Sequence, residues 1–179
     1  MAEVEIRPAV STDIAVLEGF DHSIETTHVW QFNNQITRER VVYDLREVRL
    51  PRVLTLEYPR RVTSLKDSWT QHSLFLVARS EGNLVGYLIL DEMPDLDSAV
   101  IKDIVVDLSY RRQGIATALI LAAKEWLTKL GVTRLVFEVP AKNHPMIELM
   151  RKLHFNVTGL ADGYFSNQDM AFFFTHLLK

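Results

Sequence analysis

The sequence predicts one α/β domain built on a mixed sheet, and three observations carry that expectation. Two apolar runs, Leu74–Arg79 and Leu84–Asp91, flank Glu81-Gly82-Asn83, the signature of an antiparallel hairpin. An amphipathic helix follows Gly114, with Ile115, Leu119, Ala122, Trp126 and Leu130 recurring at spacings of three and four. From Ala99 onward the order reads strand, helix, strand, helix, strand, strand, which puts one crossover unit inside the sheet.

In chain order, Val4–Ile6 alternates like a short strand and meets Pro8. Ser11-Thr12-Asp13 then offers N-cap chemistry for a helix through Ile14, Leu17 and Phe20. Residues 21 to 67 read as a folded elaboration, with strands at His28–Phe32, Val41–Leu50 and Val53–Tyr58, the last bracketed by Pro51 and Pro59. After the hairpin, Ala99–Val106 is a third strand, turned back on the second at Pro94–Asp97. Lys129 and Gly131 close the long helix. Arg134–Val139 is the next strand. Pro145–Leu153 is the next helix, with proline suited to a first helical position. Phe155–Leu160 and Met170–Leu177 end the chain as strands.

The 179 residues fit one domain (1–179, with 73–177 as its core and 21–67 as an elaboration), able to bury a core without a disulfide or metal staple. With no cysteine, disulfides, thiolate metal sites and a cysteine nucleophile are all excluded. A net charge of -3 gives no basic footprint for nucleic acid. The start, MAEVEIRPAV, is acidic where a signal peptide is basic, and no run reaches the roughly 20 apolar residues of a membrane span. The expectation is a cytoplasmic protein with no membrane partner and no metal, with a homodimer left open. The six histidines are scattered, without a His-x-x-x-His pair, and read as surface or packing residues.

The most informative stretch is Asp103-Ile-Val-Val-Asp-Leu-Ser-Tyr-Arg-Arg-Gln-Gly-Ile-Ala-Thr117. A strand ends, a tight basic loop follows, and a long helix starts at a glycine. Helix N-termini present backbone N–H groups and a positive dipole end, so they bind phosphates. Gly114 and Ala116 leave room for a diphosphate, and Arg111 and Arg112 add charge. No Gly-Lys-Ser/Thr follows, so this is not a P-loop, and the third glycine of a dinucleotide fingerprint is missing.

Arg-x-x-Gly-x-Ala at 111–116, behind an apolar strand and before a long helix, resembles the coenzyme A signature of the GCN5-related N-acetyltransferase family. Leu135–Val139, Asn143 and Ile147–Phe155 fall at the family's usual spacings, and the resemblance covers roughly residues 73 to 177. It implies an acetyl-CoA-dependent fold in which strand Ile104–Val106 splays from strand Leu135–Val139. The pantetheine arm then pairs with the backbone of Ile104 and Val106, and the amide of Val105 polarises the thioester carbonyl. It further implies that the backbone of Arg112, Gln113, Gly114, Ile115, Ala116 and Thr117 holds the pyrophosphate, and that Asn143 contacts the arm. Two departures stand out. Met150 occupies the place of a tyrosine that protonates the leaving thiolate in many relatives, and His154 replaces a common glycine.

For proton transfer, Glu138 reads either as a general base or as an ordinary strand carboxylate. Alternation puts it on one face with Val136, opposite Leu135, Phe137 and Val139. Asp103 is a second base candidate, more simply a structural strand-end carboxylate. Tyr164 and Tyr110 are thiolate-donor candidates whose plainer role is packing. Outside the core, Asp44–Pro51 with Leu54–Pro59, and Gly159–Tyr164 with Asp169–Phe173, resemble streptothricin acetyltransferases within the family. That resemblance implies a small cationic amine acceptor, with Glu25, Asp91, Glu92, Asp162 and Glu138 as carboxylates to attract it. The alternatives are a protein or peptide N-acetyltransferase and a non-catalytic acyl-CoA-binding module.

Overall fold

The computed structural model describes residues 4–59 and 65–178. In chain order the elements are β1 (Val4–Pro8), α1 (Ser11–Glu18), β2 (Ile24–Ile36), β3 (Val41–Leu56), α2 (Leu65–Ser68), β4 (Leu74–Ser80) and β5 (Asn83–Met93). They continue with β6 (Ser98–Val106), α3 (Ile115–Lys129), β7 (Arg134–Pro140), α4 (His144–Lys152), β8 (Asn156–Ala161) and β9 (Ala171–Leu177). Seven strands form one sheet in the order β1-β4-β5-β6-β7-β9-β8, and β2 and β3 form a separate ribbon. Within the large sheet β6 and β7 run parallel, and the other pairs are antiparallel. This is the expected mixed sheet with its crossover, and α3 is the crossover helix.

The alternation of β4 and β5 sorts their side chains onto two faces. Leu76, Ala78, Leu88 and Leu90 pack with Ile115, Leu119, Ile120, Ala123 and Leu127 of α3 in the larger core. Phe75, Val77, Tyr87 and Ile89 pack with Ile14 and Leu17 of α1 in a smaller one. The tight hairpin between β4 and β5 turns at Glu81 and Gly82, whose φ values of 50° and 84° are both left-handed, the geometry that matches strand twist.

Three local expectations are corrected. Val10, not the Ser11-Thr12 pair, is the N-cap of α1, and Asp13 at the third helical position accepts from the Val10 N–H at 2.8 Å. Asp13 is buried and also held by Arg7 at 2.7 and 2.9 Å, so its carboxylate serves the cap and an ion pair together. That pairing holds the Asp13 carboxyl below the usual carboxylate range. On α3 the buried line is Ile115, Leu119, Ala123 and Leu127, while Leu130 is exposed. The fourfold spacing of that line points at the sheet, and Ala122 and Trp126 lie at its margin. Finally, Val41–Leu50 and Val53–Tyr58 are not separate strands. β3 runs through Pro51 to Leu56, because the register with β2 jumps from His28↔Arg49 to Thr26↔Leu54. The jump places Pro51 in a bulge, where its missing N–H costs no ladder bond.

Candidate active site

The centre of the sheet is where pairing fails. β6 and β7 pair over only four positions, from Ser98↔Arg134 to Ile101↔Phe137. Beyond Ile101 the strands part: β6 stays with β5 as far as Val106↔Gly86, and Glu138–Pro140 stay with β9. Lys102 sits at the fork. The β5–β6 register shifts there, from Leu90↔Ile101 to Ile89↔Asp103, so Lys102 is the extra residue of a bulge. A bulge bends its strand and increases its twist, which accounts for β6 leaving its parallel neighbour here. The splay expected for Ile104–Val106 against the end of β7 is present.

The wedge opens into a cleft lined by Ile104 and Lys102 on one side and by Glu138, Phe137 and Pro140 on the other. Asn143, Met146, Ile24, Tyr58, Pro59 and Phe165 complete its walls. Three residues singled out in the sequence, Ile104, Glu138 and Asn143, therefore meet in one place. The alternation expected for β7 holds. Val136 and Glu138 are half-buried, whereas Leu135, Phe137 and Val139 are buried. The Asn143 side chain accepts from the Met146 N–H at 3.2 Å and so caps α4 at the cleft wall.

At the far end of β6 the chain turns into α3. Arg112 (φ 65°) and Gly114 (φ 86°) are both left-handed, and a Cβ placed on Gly114 would meet nothing within 4 Å. The first helical bond is Ala118 N–H to Gly114 C=O, 3.0 Å, so the amides of Ile115, Ala116 and Thr117 precede the helix's own ladder. Open space in front of a helix N-terminus suits a pyrophosphate. Gln113 is exposed beside it and contacts the Ser109 carbonyl at 3.4 Å. Arg111 does something the sequence does not reveal. Its guanidinium donates to the carbonyls of Val106 (2.9 Å), Ser23 (2.8 Å) and Asp21 (2.7 Å), tying the end of β6 to the approach to β2.

Behind β6 lies a row of polar groups. The Tyr58 hydroxyl donates to Asp103 Oδ1 at 2.6 Å, and the Tyr58 ring stands 5.4 Å from His22. His22 Nδ1 is 2.7 Å from the Phe20 carbonyl, which can only accept, so Nδ1 carries the proton. Nε2 then accepts from the Tyr87 hydroxyl at 3.1 Å. Burial favours this neutral pair, pushing the His22 imidazolium down and the Tyr87 phenol well up. Asp103 is thus held in a packed network through Tyr58, which also reaches the cleft. Tyr164 lies on the turn after β8, its ring 5.4 Å from Phe173, and its neighbour Phe165 reaches the cleft. Tyr110 packs half-buried against the larger core.

Of the carboxylates considered for a cationic acceptor, Glu138 lines the cleft. Asp91 is engaged by His72 at 2.9 Å, and Glu25 and Asp162 are exposed. Tyr58, Lys102 and Phe165 are cleft residues that sequence reasoning missed. Lys102 alone left a signal there, a charge interrupting an apolar run.

A parallel pair splayed at a bulge, with a glycine-led helix N-terminus at its end, defines the acyl-coenzyme A N-acyltransferase class of fold. The model of the acetyltransferase (GNAT) family matches residues 40–155, and the chain belongs to that family. A nourseothricin acetyltransferase superposes with a TM-score of 0.83 at 25% identity, over 98% of this chain and 99% of that one. A proposed streptothricin acetyltransferase of Bacillus anthracis, crystallised with acetyl coenzyme A, gives a TM-score of 0.74 at 18% identity, over 98% and 99% of the two chains. The [ribosomal protein bS18]-alanine N-acetyltransferase of Escherichia coli is 38% identical over 74 residues, 41% of this chain and 50% of that protein. The chain spans 32% and 65% of the first two curated relatives it matches. Among the described residues no helix is long and apolar enough to cross a membrane.

Proposed function

We propose that the chain is an acetyl-CoA-dependent N-acetyltransferase acting on a primary amine of a small cationic acceptor, by direct attack in a ternary complex. The observation that carries this reading is the wedge between β6 and β7, which leads from Glu138 to the open N-terminus of α3. An extended pantetheine arm would lie along Ile104–Val106 as an added strand, with the pyrophosphate at residues 112–117. The thioester carbonyl would then accept from the Val105 amide, and Asn143 would meet the arm from the other wall.

The acceptor nitrogen attacks the thioester carbon, the C–N bond forms, and the C–S bond breaks to release the coenzyme A thiolate. Glu138 takes the ammonium proton, through water, before or during attack. Solvent or Tyr164 returns a proton to the thiolate. With no cysteine in the chain, positioning and a base are sufficient, and no acyl-enzyme is needed.

For the acceptor, a streptothricin-like antibiotic is favoured because the likeness to nourseothricin acetyltransferase extends over 98% of the chain, including the side remote from the cofactor loop. A protein N-terminus is the second reading. It is supported by the alanine N-acetyltransferase, though over 41% of the chain. Thiol release measured across streptothricins, aminoglycosides, polyamines and peptides tests the choice. Turnover confined to small cations is expected, and turnover confined to peptides overturns it. Gly114→Glu should abolish acetyl-CoA binding by calorimetry, since it puts bulk and negative charge where the pyrophosphate sits.

A further inference from the structure

We propose that His28, Glu47 and His144 form a binding site for a divalent cation of the Zn2+ type, clasping the β2–β3 ribbon to the N-terminus of α4. Spread along the sequence, these residues show no ligand spacing; the fold assembles them. On the ribbon Trp30 pairs with Glu47, and His28 lies two residues from Trp30, so His28 and Glu47 share one face as diagonal neighbours. That face is turned to α4. The Trp30 backbone N–H donates to the Ala141 carbonyl at 3.1 Å, and Arg151 of α4 lies over the Trp30 ring at 4.8 Å. His144 opens α4, and its ring stacks on His28 with centroids 4.7 Å apart.

One ligand atom from each of the three residues lies within 4.8 Å of the others. His144 Nε2 is already 3.1 Å from Glu47 Oε1. Around a tetrahedral zinc with bonds of about 2.0–2.2 Å, ligand atoms stand roughly 3.3–3.6 Å apart, so shifts of about an ångström in the side chains would close the set. Two imidazoles and one carboxylate are a ligand set zinc uses with an open fourth position. Thr27 Oγ1 engages His28 Nδ1 at 2.9 Å, the outer contact that fixes such a ring and leaves Nε2 to ligate. Glu148 Oε1, 3.9 Å from His144 Nε2, offers the fourth position a carboxylate. Arg151 opposes the ion, pairing with Glu148 at 2.8 Å and with Glu47 at 3.8 Å. Because Asn143 and Met146, close to His144 in the chain, line the cleft, the cation would set where the ribbon stands beside it.

The test needs no acetyl transfer, so it stands or falls separately from the proposed activity. Untagged, chelator-treated protein is titrated with Zn2+ in a calorimeter and with Co2+ followed by visible absorption. The expected result is one ion per chain, with His28→Gln and His144→Gln each weakening binding by at least about tenfold. Arg151→Gln should bind as tightly as the wild type or more so. In the unaltered chain, Zn2+ should shift the ring nitrogen resonances of two histidines and slow amide exchange in residues 24–36. These wild-type signals decide the matter even if a variant folds poorly. No stoichiometric binding, or binding that leaves both histidine rings unshifted, overturns the site and leaves an ion-pair clasp of His144, Glu47 and Arg151.

Discussion

Glu138 stands where β7 has just lost its parallel partner. Val136 and Glu138 share the half-buried face of β7, and the last three residues of β7, Glu138 among them, have lost β6 as a partner. A carboxylate there is placed to meet an acceptor arriving between the strands. Glu138→Gln keeps shape and removes basicity. It should lower turnover by about a hundredfold or more, most strongly at low pH, where the amine is largely protonated and depends on the base. Initial rates across pH check this. Unchanged rates at every pH would make Glu138 structural and turn attention to Asp103, whose Tyr58 contact already orders its carboxylate. The facing of Glu138 was legible because strand alternation is a local rule. Tyr58 was not, since its place in the cleft depends on the chain after β3 reaching Asp103 of β6, and no periodicity encodes that.

At the scale of elements, the close approach of β5 and β6 positions the strand proposed to hold the cofactor. Gly86 faces Val106 in the ladder, and a Cβ there would stand 2.9 Å from the Val105 carbonyl oxygen and 3.2 Å from Ile115 Cγ2. The first contact is backbone and cannot rotate away. Gly86→Ala should therefore push β6 and the start of α3 outward. A cost of about 1–3 kcal/mol in denaturant unfolding is expected, with weaker acetyl-CoA binding alongside. Wild-type affinity in the variant would show that the strand tolerates the shift. The core elements were readable in the sequence: β4, β5, β6, α3, β7 and α4 lie close to their expected limits, because hydrophobic periodicity and turn residues determine them locally. The ribbon was not. Pro51 reads as a strand boundary, and only the two-sided register shows it absorbed in a bulge. The histidines looked scattered for a similar reason, with His28 and His144 meeting only once β2 crosses α4.

For the whole molecule, the wedge divides the large sheet into two parts, β1-β4-β5-β6 and β7-β9-β8, joined along four paired positions and by the larger core, which draws residues from both. A ligand lying in the gap contacts both parts and the N-terminus of α3, so it should stabilise the folded chain as a unit. At a concentration one hundred times its dissociation constant, acetyl-CoA should add about 2.7 kcal/mol by mass action. At roughly 2–4 °C per kcal/mol for a chain of this size, the melting temperature should rise by about 5–10 °C. Calorimetric or fluorescence melts in matched buffer measure this, with NADH and ATP as controls. Gly114→Glu serves as the variant in which the shift should vanish, while its own unliganded melt reports whether it folds. A rise with acetyl-CoA alone, lost in the variant, fits one cofactor bridging both parts of the sheet. Equal rises with all three nucleotides, or none with acetyl-CoA, would mean that the wedge is not a coenzyme A site.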